Sequence, residues 1–148
     1  MGNNELYHEW MKYATADITA AAHLSNHHPV QLEIVCYHCQ QSGEKAIKAI
    51  LAYQNEQIPR THNLYELLKS CANYFPEIVI DLAEQADRLT NYAVITRYPN
   101  DEIDVEKADM EQALKDAEHV LSYVTALFAV EDAQGGVETY DKDGDTDD

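Results

Sequence analysis

Apolar residues recur at steps of three and four along most of this chain, and no alternating run rich in Val, Ile and Thr, bounded by turn residues, competes with them. That period belongs to an α-helix and not to a strand, so the chain is expected to be all-α. The longest stripe, Ala113/Leu114, Ala117, Leu121, Val124 and Phe128, is the pattern of a helix packed in a bundle.

Punctuation divides the pattern into four to five helices. The first, at about 4–25, brings Leu6, Trp10, Tyr13, Ala14, Ala21 and Leu24 near one face. Pro29 suits the first turn of the second, at about 30–55, whose apolar arc holds Val35, Cys39, Gly43, Ala46 and Ile50. Gly43 costs about 1 kcal/mol inside a helix and marks a close approach of backbone. Asn63 with Glu66 three residues on reads as an N-cap and its capping-box partner, opening a third helix at 64–73. A fourth opens at Pro76 and carries Ile78, Leu82, Ala86, Leu89 and Ala93 to about Ile95, before Pro99; the fifth follows Asp104.

Charge limits what such a bundle can do. The chain of 148 residues has a formal charge of −17, which opposes holding DNA through a general basic surface. From Glu131 onward there are eight acidic residues against the single Lys142. The expected division is therefore a folded body at 1–130 and an acidic, disordered tail at 131–148. No stretch approaches the ~20 apolar residues that cross a bilayer, and Met1 to Trp10 has no leader pattern, so a cytoplasmic protein without membrane contact is expected.

Cys36, Cys39 and Cys71 are an odd set of thiols in a chain with no export signal, and they read as small core residues. Cys36, His38 and Cys39 include good zinc ligands, but on a helix the thiols lie about 60° apart while His38 points about 100° or more away. No metal and no cofactor are expected.

The polar chemistry gathers on the second helix. His38, Gln41, Lys45 and Lys48 share an arc of roughly 80°, which offers two cations, an imidazole and an amide to a phosphate or a base edge. The plainer reading is a solvated face with a surface Glu44–Lys48 pair worth about 0.2–0.5 kcal/mol. Thr61-His62-Asn63 and Thr96-Arg97-Tyr98-Pro99-Asn100 form two further polar clusters at element boundaries, where binding residues often sit.

Four separated segments together resemble one family. Trp10-Met11-Lys12-Tyr13-Ala14 with Asp17-Ile18, Tyr37-His38-Cys39-Gln40-Gln41 leading to Glu44-Lys45-Ala46-Ile47-Lys48-Ala49, Thr61-His62-Asn63-Leu64, and Thr96-Arg97-Tyr98-Pro99 are similar to HEPN (higher eukaryotes and prokaryotes nucleotide-binding) domains over roughly 5–128. The resemblance implies an antiparallel, up-and-down helical bundle that forms a homodimer and is often encoded beside a minimal nucleotidyltransferase as a toxin–antitoxin pair. It also implies that nucleotide or RNA is met at His38, Gln41, Lys45, Lys48, Thr61, His62, Arg97 and Tyr98.

Catalytic members are metal-independent ribonucleases whose signature is Arg, four to six residues, then His. This chain lacks it: the positions five to seven after Arg60, Arg88 and Arg97 are Tyr65, Glu66, Leu67, then Ala93, Val94, Ile95, then Glu102, Ile103, Asp104. Nucleotide binding or partnership is therefore favoured over catalysis. Two alternatives stay open: a non-catalytic helical interaction module, and a ribonuclease with a displaced pair drawn from Arg97 with His38 or His62.

Overall fold

A computed structural model describes residues 3–93 and 104–146, with the side chains of the last helix described as far as residue 129. Five helices follow one another: α1 (Asn4–Ser25), α2 (Leu32–Tyr53), α3 (Leu64–Cys71), α4 (Ile78–Thr90) and α5 (Lys107–Thr146). There is no strand among the described residues, as the apolar period requires. None of these helices is long and apolar enough to cross a membrane.

α2 is the axis of the bundle and touches all four other helices. Its buried residues run right round the helix, from Val35, Cys36 and Cys39 to Ala46, Ile47, Ile50 and Leu51. By contrast α1 fully buries only Tyr7, Ala14 and Ala21, one residue every seventh position. A seam that narrow brings the two backbones close, and the Ser42 hydroxyl donates to the Ala14 carbonyl at 2.8 Å. α1 and α2 run antiparallel: the Asn3 amide reaches the Tyr53 carbonyl at 2.7 Å, so the start of one meets the end of the other. Phe128 of α5 closes the same end, with its ring 3.9 Å from that of Tyr7 and 4.8 Å from that of Tyr53.

The boundaries are chemical. Asn3 caps α1 by accepting from the Leu6 amide. α2 starts at Leu32 and not at about 30, so Pro29 lies in the preceding turn and not in the first helical turn. It ends at Tyr53 because Asn55 takes a left-handed φ of 57°. The Glu56 amide then bonds the Leu51 carbonyl and the Asn55 amide bonds that of Ala52, the paired closure that follows a left-handed residue. Asn63 caps α3 as expected, accepting from the Glu66 amide at 3.1 Å. The other half of the capping box is replaced, since Thr61 Oγ1 accepts from the Asn63 amide and donates to Glu66.

α4 begins at Ile78, two residues beyond Pro76, and stops at Thr90 instead of about Ile95. The Tyr92 and Ala93 amides bond carbonyls only three residues back, Leu89 and Thr90, which tightens the chain out of the helix. Ile95 lies outside the described residues. The backbone of α5 is helical through Thr146, where the sequence pattern predicts a tail without structure from residue 131; Phe128 is the last buried side chain among those described, which run to residue 129.

Gly43 sits where α2 meets α3 and α4. A Cβ there would lie 3.1 Å from Leu64 Cδ2 and 3.1 Å from Leu89 Cδ1, so the missing side chain lets two core leucines seat against the helix.

Candidate functional site

Two carboxylates organise the polar arc of α2. On the α1 side, Asp17 places Oδ1 3.0 Å from His38 Nδ1 and Oδ2 2.5 Å from Lys45 Nζ. His38 and Lys45 are seven residues apart, two turns of helix, so both face α1 and one carboxylate can hold them together.

On the α3 side stands Glu44, only 4% exposed. It accepts from Gln40 Nε2 at 3.0 Å and Lys48 Nζ at 2.9 Å, and it lies 2.8 Å from His62 Nδ1. Gln40 also donates to the His62 carbonyl at 3.1 Å, and its own oxygen accepts from Gln41 at 2.7 Å. Burial pushes the Glu44 carboxyl up, but hydrogen bonds from Lys48, Gln40 and His62 outweigh it and hold the group below its ordinary range. Lys48 Nζ also stands 5.9 Å from the Trp10 ring centre, which joins this cluster to α1.

His38, Gln41, Lys45, Lys48 and His62 thus converge on one seam running from α1 across α2 to the segment before α3. The solvated-face reading is overturned, because the Glu44–Lys48 pair is part of a half-sealed network and not a surface pair. Each imidazole presents Nδ1 to a carboxylate, which orients the ring and leaves Nε2 for a ligand. Thr61 turns away, toward Glu66 and the Asn63 amide. Thr96, Arg97, Tyr98 and Pro99 lie outside the described residues, so the pairing of Arg97 with either histidine does not enter the geometry.

Asp17 and Glu44 are the two organising groups that spacing alone did not single out as site residues. A signal was present for one of them: Asp17 is flanked by Ala16 and Ile18, on the helix whose neighbours Ala14 and Ala21 are buried.

Cys36, Cys39 and Cys71 are buried, and burial pushes each thiol up to about 12. Metal binding requires thiolates, so these environments oppose it. Among the described residues no group of three or more His, Cys, Asp or Glu is placed to hold a metal ion.

Residues 7–127 match the HEPN domain. The chain is 30% identical over 131 residues to "Putative toxin MJ1304" of Methanocaldococcus jannaschii, across 78% of this chain and 83% of that protein. Its fold is similar to the crystal structure of ST0689, an archaeal HEPN homologue, with a TM-score of 0.65 at 24% identity over 82% of this chain and 96% of that one.

Proposed function

The chain belongs to the HEPN domain family, and on that premise we propose that it is a toxin-type HEPN protein that binds nucleotide or RNA along the α1–α2 seam. The observation that carries this reading is the convergence of His38, Gln41, Lys45, Lys48 and His62 around Asp17 and Glu44. Both lysines are neutralised in place, so the seam is nearly balanced in charge. It offers imidazole and amide edges beside the half-buried Trp10 ring, a combination suited to the edge and face of a base. The toxin-type role follows the name of the M. jannaschii relative. A minimal nucleotidyltransferase is the partner, and the cytoplasm is the setting.

Isothermal titration with mononucleotides and a short single-stranded RNA tests the binding. Heat that disappears in His38→Ala and Gln41→Ala supports it; no heat from the wild type at millimolar ligand rules it out.

A second reading is favoured by Leu6 and Tyr13, which are 43% and 53% exposed on α1 beside the same seam. Large apolar groups left open next to a polar network suit burial by a second copy of the chain, with the seam inside a homodimer. Light scattering after gel filtration decides it: a strict monomer at all concentrations removes this reading. Catalysis by a displaced pair is tested separately, by RNA cleavage in EDTA. Equal activity in wild type, His38→Ala, His62→Ala and Arg97→Ala removes that assignment.

A further inference from the structure

In a chain of such negative charge, a lysine or arginine without a carboxylate partner is informative. Lys45, Lys48 and Arg88 are each held by one. Lys12, Arg60, Lys69, Lys107 and Lys115 make no ion pair among the described residues, and of these Arg60 and Lys69 come together, lining one wide-open surface cavity of about 570 Å³ between the segment before α3 and α3 itself. Lys69 Nζ also stands 5.6 Å from the ring centre of Tyr65, one turn back on α3. Pro59, Thr61, Ser70 and Asn73 complete the wall, together with a single carboxylate, Glu66, which already accepts from Thr61. The Ser70 hydroxyl has no partner among the described residues. The cavity therefore offers a guanidinium, an ammonium and a free hydroxyl, the donor set that takes a phosphate.

The cavity also adjoins the seam. Thr61 lines this cavity and His62, the next residue, is bound to Glu44 in the seam. Adjacent Cα atoms are about 3.8 Å apart, so the two sites are joined through the 61–62 peptide. Trp10, Lys48, Glu44, His62, Thr61 and Arg60 form a connected path from an aromatic ring to an unpaired cation. A single strand whose base lies against the first part of this path has its backbone led toward the last.

We propose that the cavity lined by Arg60, Lys69 and Ser70 takes a backbone phosphate of a single-stranded RNA whose neighbouring base lies on the α1–α2 seam. This rests on the nucleotide reading of the seam and adds a polyanion subsite to it. The cavity meets a phosphate, which carries no sequence information, so it sets affinity and register and leaves base preference to the seam.

The test is fluorescence anisotropy of a labelled short RNA across a salt series, with wild type, Arg60→Gln/Lys69→Gln, and Ser70→Glu. Arg60 and Lys69 are exposed, so the double variant is expected to melt with wild type. It is expected to bind RNA about tenfold more weakly, with a salt slope shallower by about 0.7 for each phosphate that is no longer neutralised. An uncharged ribonucleoside is expected to bind wild type and double variant alike. Ser70→Glu, which brings a negative charge into the cavity without removing either cation, is expected to weaken RNA in the same direction. If wild type binds RNA and both variants match it in affinity and slope, this inference is overturned while the seam reading stands. If wild type binds neither RNA nor nucleoside, the seam reading fails and takes this one with it. Preference for a phosphoserine peptide over RNA also overturns the assignment of the occupant.

Discussion

His62 and Glu44, eighteen residues apart in the chain, meet at 2.8 Å between Nδ1 and Oε1. This bond ties the segment entering α3 to the middle of the central helix. It also makes a half-exposed imidazole the outward end of a network whose inner end is a buried carboxylate.

Glu44→Ala is expected to lose about 3–5 kcal/mol of stability, because it leaves the largely buried Lys48 without its countercharge and the buried Gln40 amide with only the His62 carbonyl as acceptor. The shift of the urea midpoint measures it. Acid gives an independent check. The folded carboxyl titrates below its ordinary value, so its contribution is complete above the unfolded pKa of about 4.3 and is lost as pH falls through the folded value. Glu44→Gln removes that titration and is expected to flatten the acid limb of stability; an unchanged limb counts against the network.

At Gly43 two effects oppose each other. Alanine gains up to about 1 kcal/mol of helix propensity, while its Cβ must displace the Leu64 and Leu89 methyls by a few tenths of an ångström. Gly43→Ala is expected to stay within about 1 kcal/mol of wild type. Gly43→Val, which adds two more methyl groups to a filled space, is expected to lose about 1–3 kcal/mol in the same denaturation assay.

Arg88 grips the buried Asp116 through Nε at 2.8 Å and an Nη nitrogen at 2.9 Å, and Gln112 shares the same carboxylate. This pair joins α4 to α5. Arg88→Ala is expected to cost about 1–3 kcal/mol, since Asp116 keeps one donor but loses its countercharge. Asp116→Asn made in the Arg88→Ala background is expected to recover part of the loss. Full additivity of the two changes in a double-mutant cycle would contradict the coupling.

With three thiols buried and pushed up to about 12, almost none is ionised at neutral pH. A thiol-reactive chromophore is expected to report no free cysteine in the native protein and all three in denaturant. Rapid labelling without denaturant would show that the core around α2 opens.

We expect the body to end near residue 130, because from Glu131 onward the chain carries eight acidic residues against the single Lys142 and few apolar ones. A truncation after Val130 is expected to leave the melting temperature within about 2 °C and the far-UV helix signal per residue nearly unchanged. Loss of cooperative melting would place part of the fold in 131–148.

The helices were legible because burial imposes a period, and each expected stripe falls mainly within an observed helix. Asn63 was legible as a cap because capping depends on one side chain near its own backbone. Longer-range relations were not. Glu44 read as a surface partner of Lys48 because four-residue spacing is the same whether a helix face meets water or protein; only the approach of His62 and Gln40 separates the two. Asp17 and His38, twenty-one residues apart, are joined by the α1–α2 hairpin, which no local rule locates. The early end of α4 escaped for a related reason, since Ala93 stays buried after the helix has stopped and keeps the apolar step intact.

Asp17 has one more consequence. Holding His38 and Lys45 at once, it is a tethered rival for any anion that approaches them. An arriving phosphate gains only the difference between its own grip and the one it displaces. On the proposed nucleotide reading, simple anions are thereby disfavoured at the seam, and a ligand that also brings a ring and a hydrogen-bonding edge is the kind that can win the exchange.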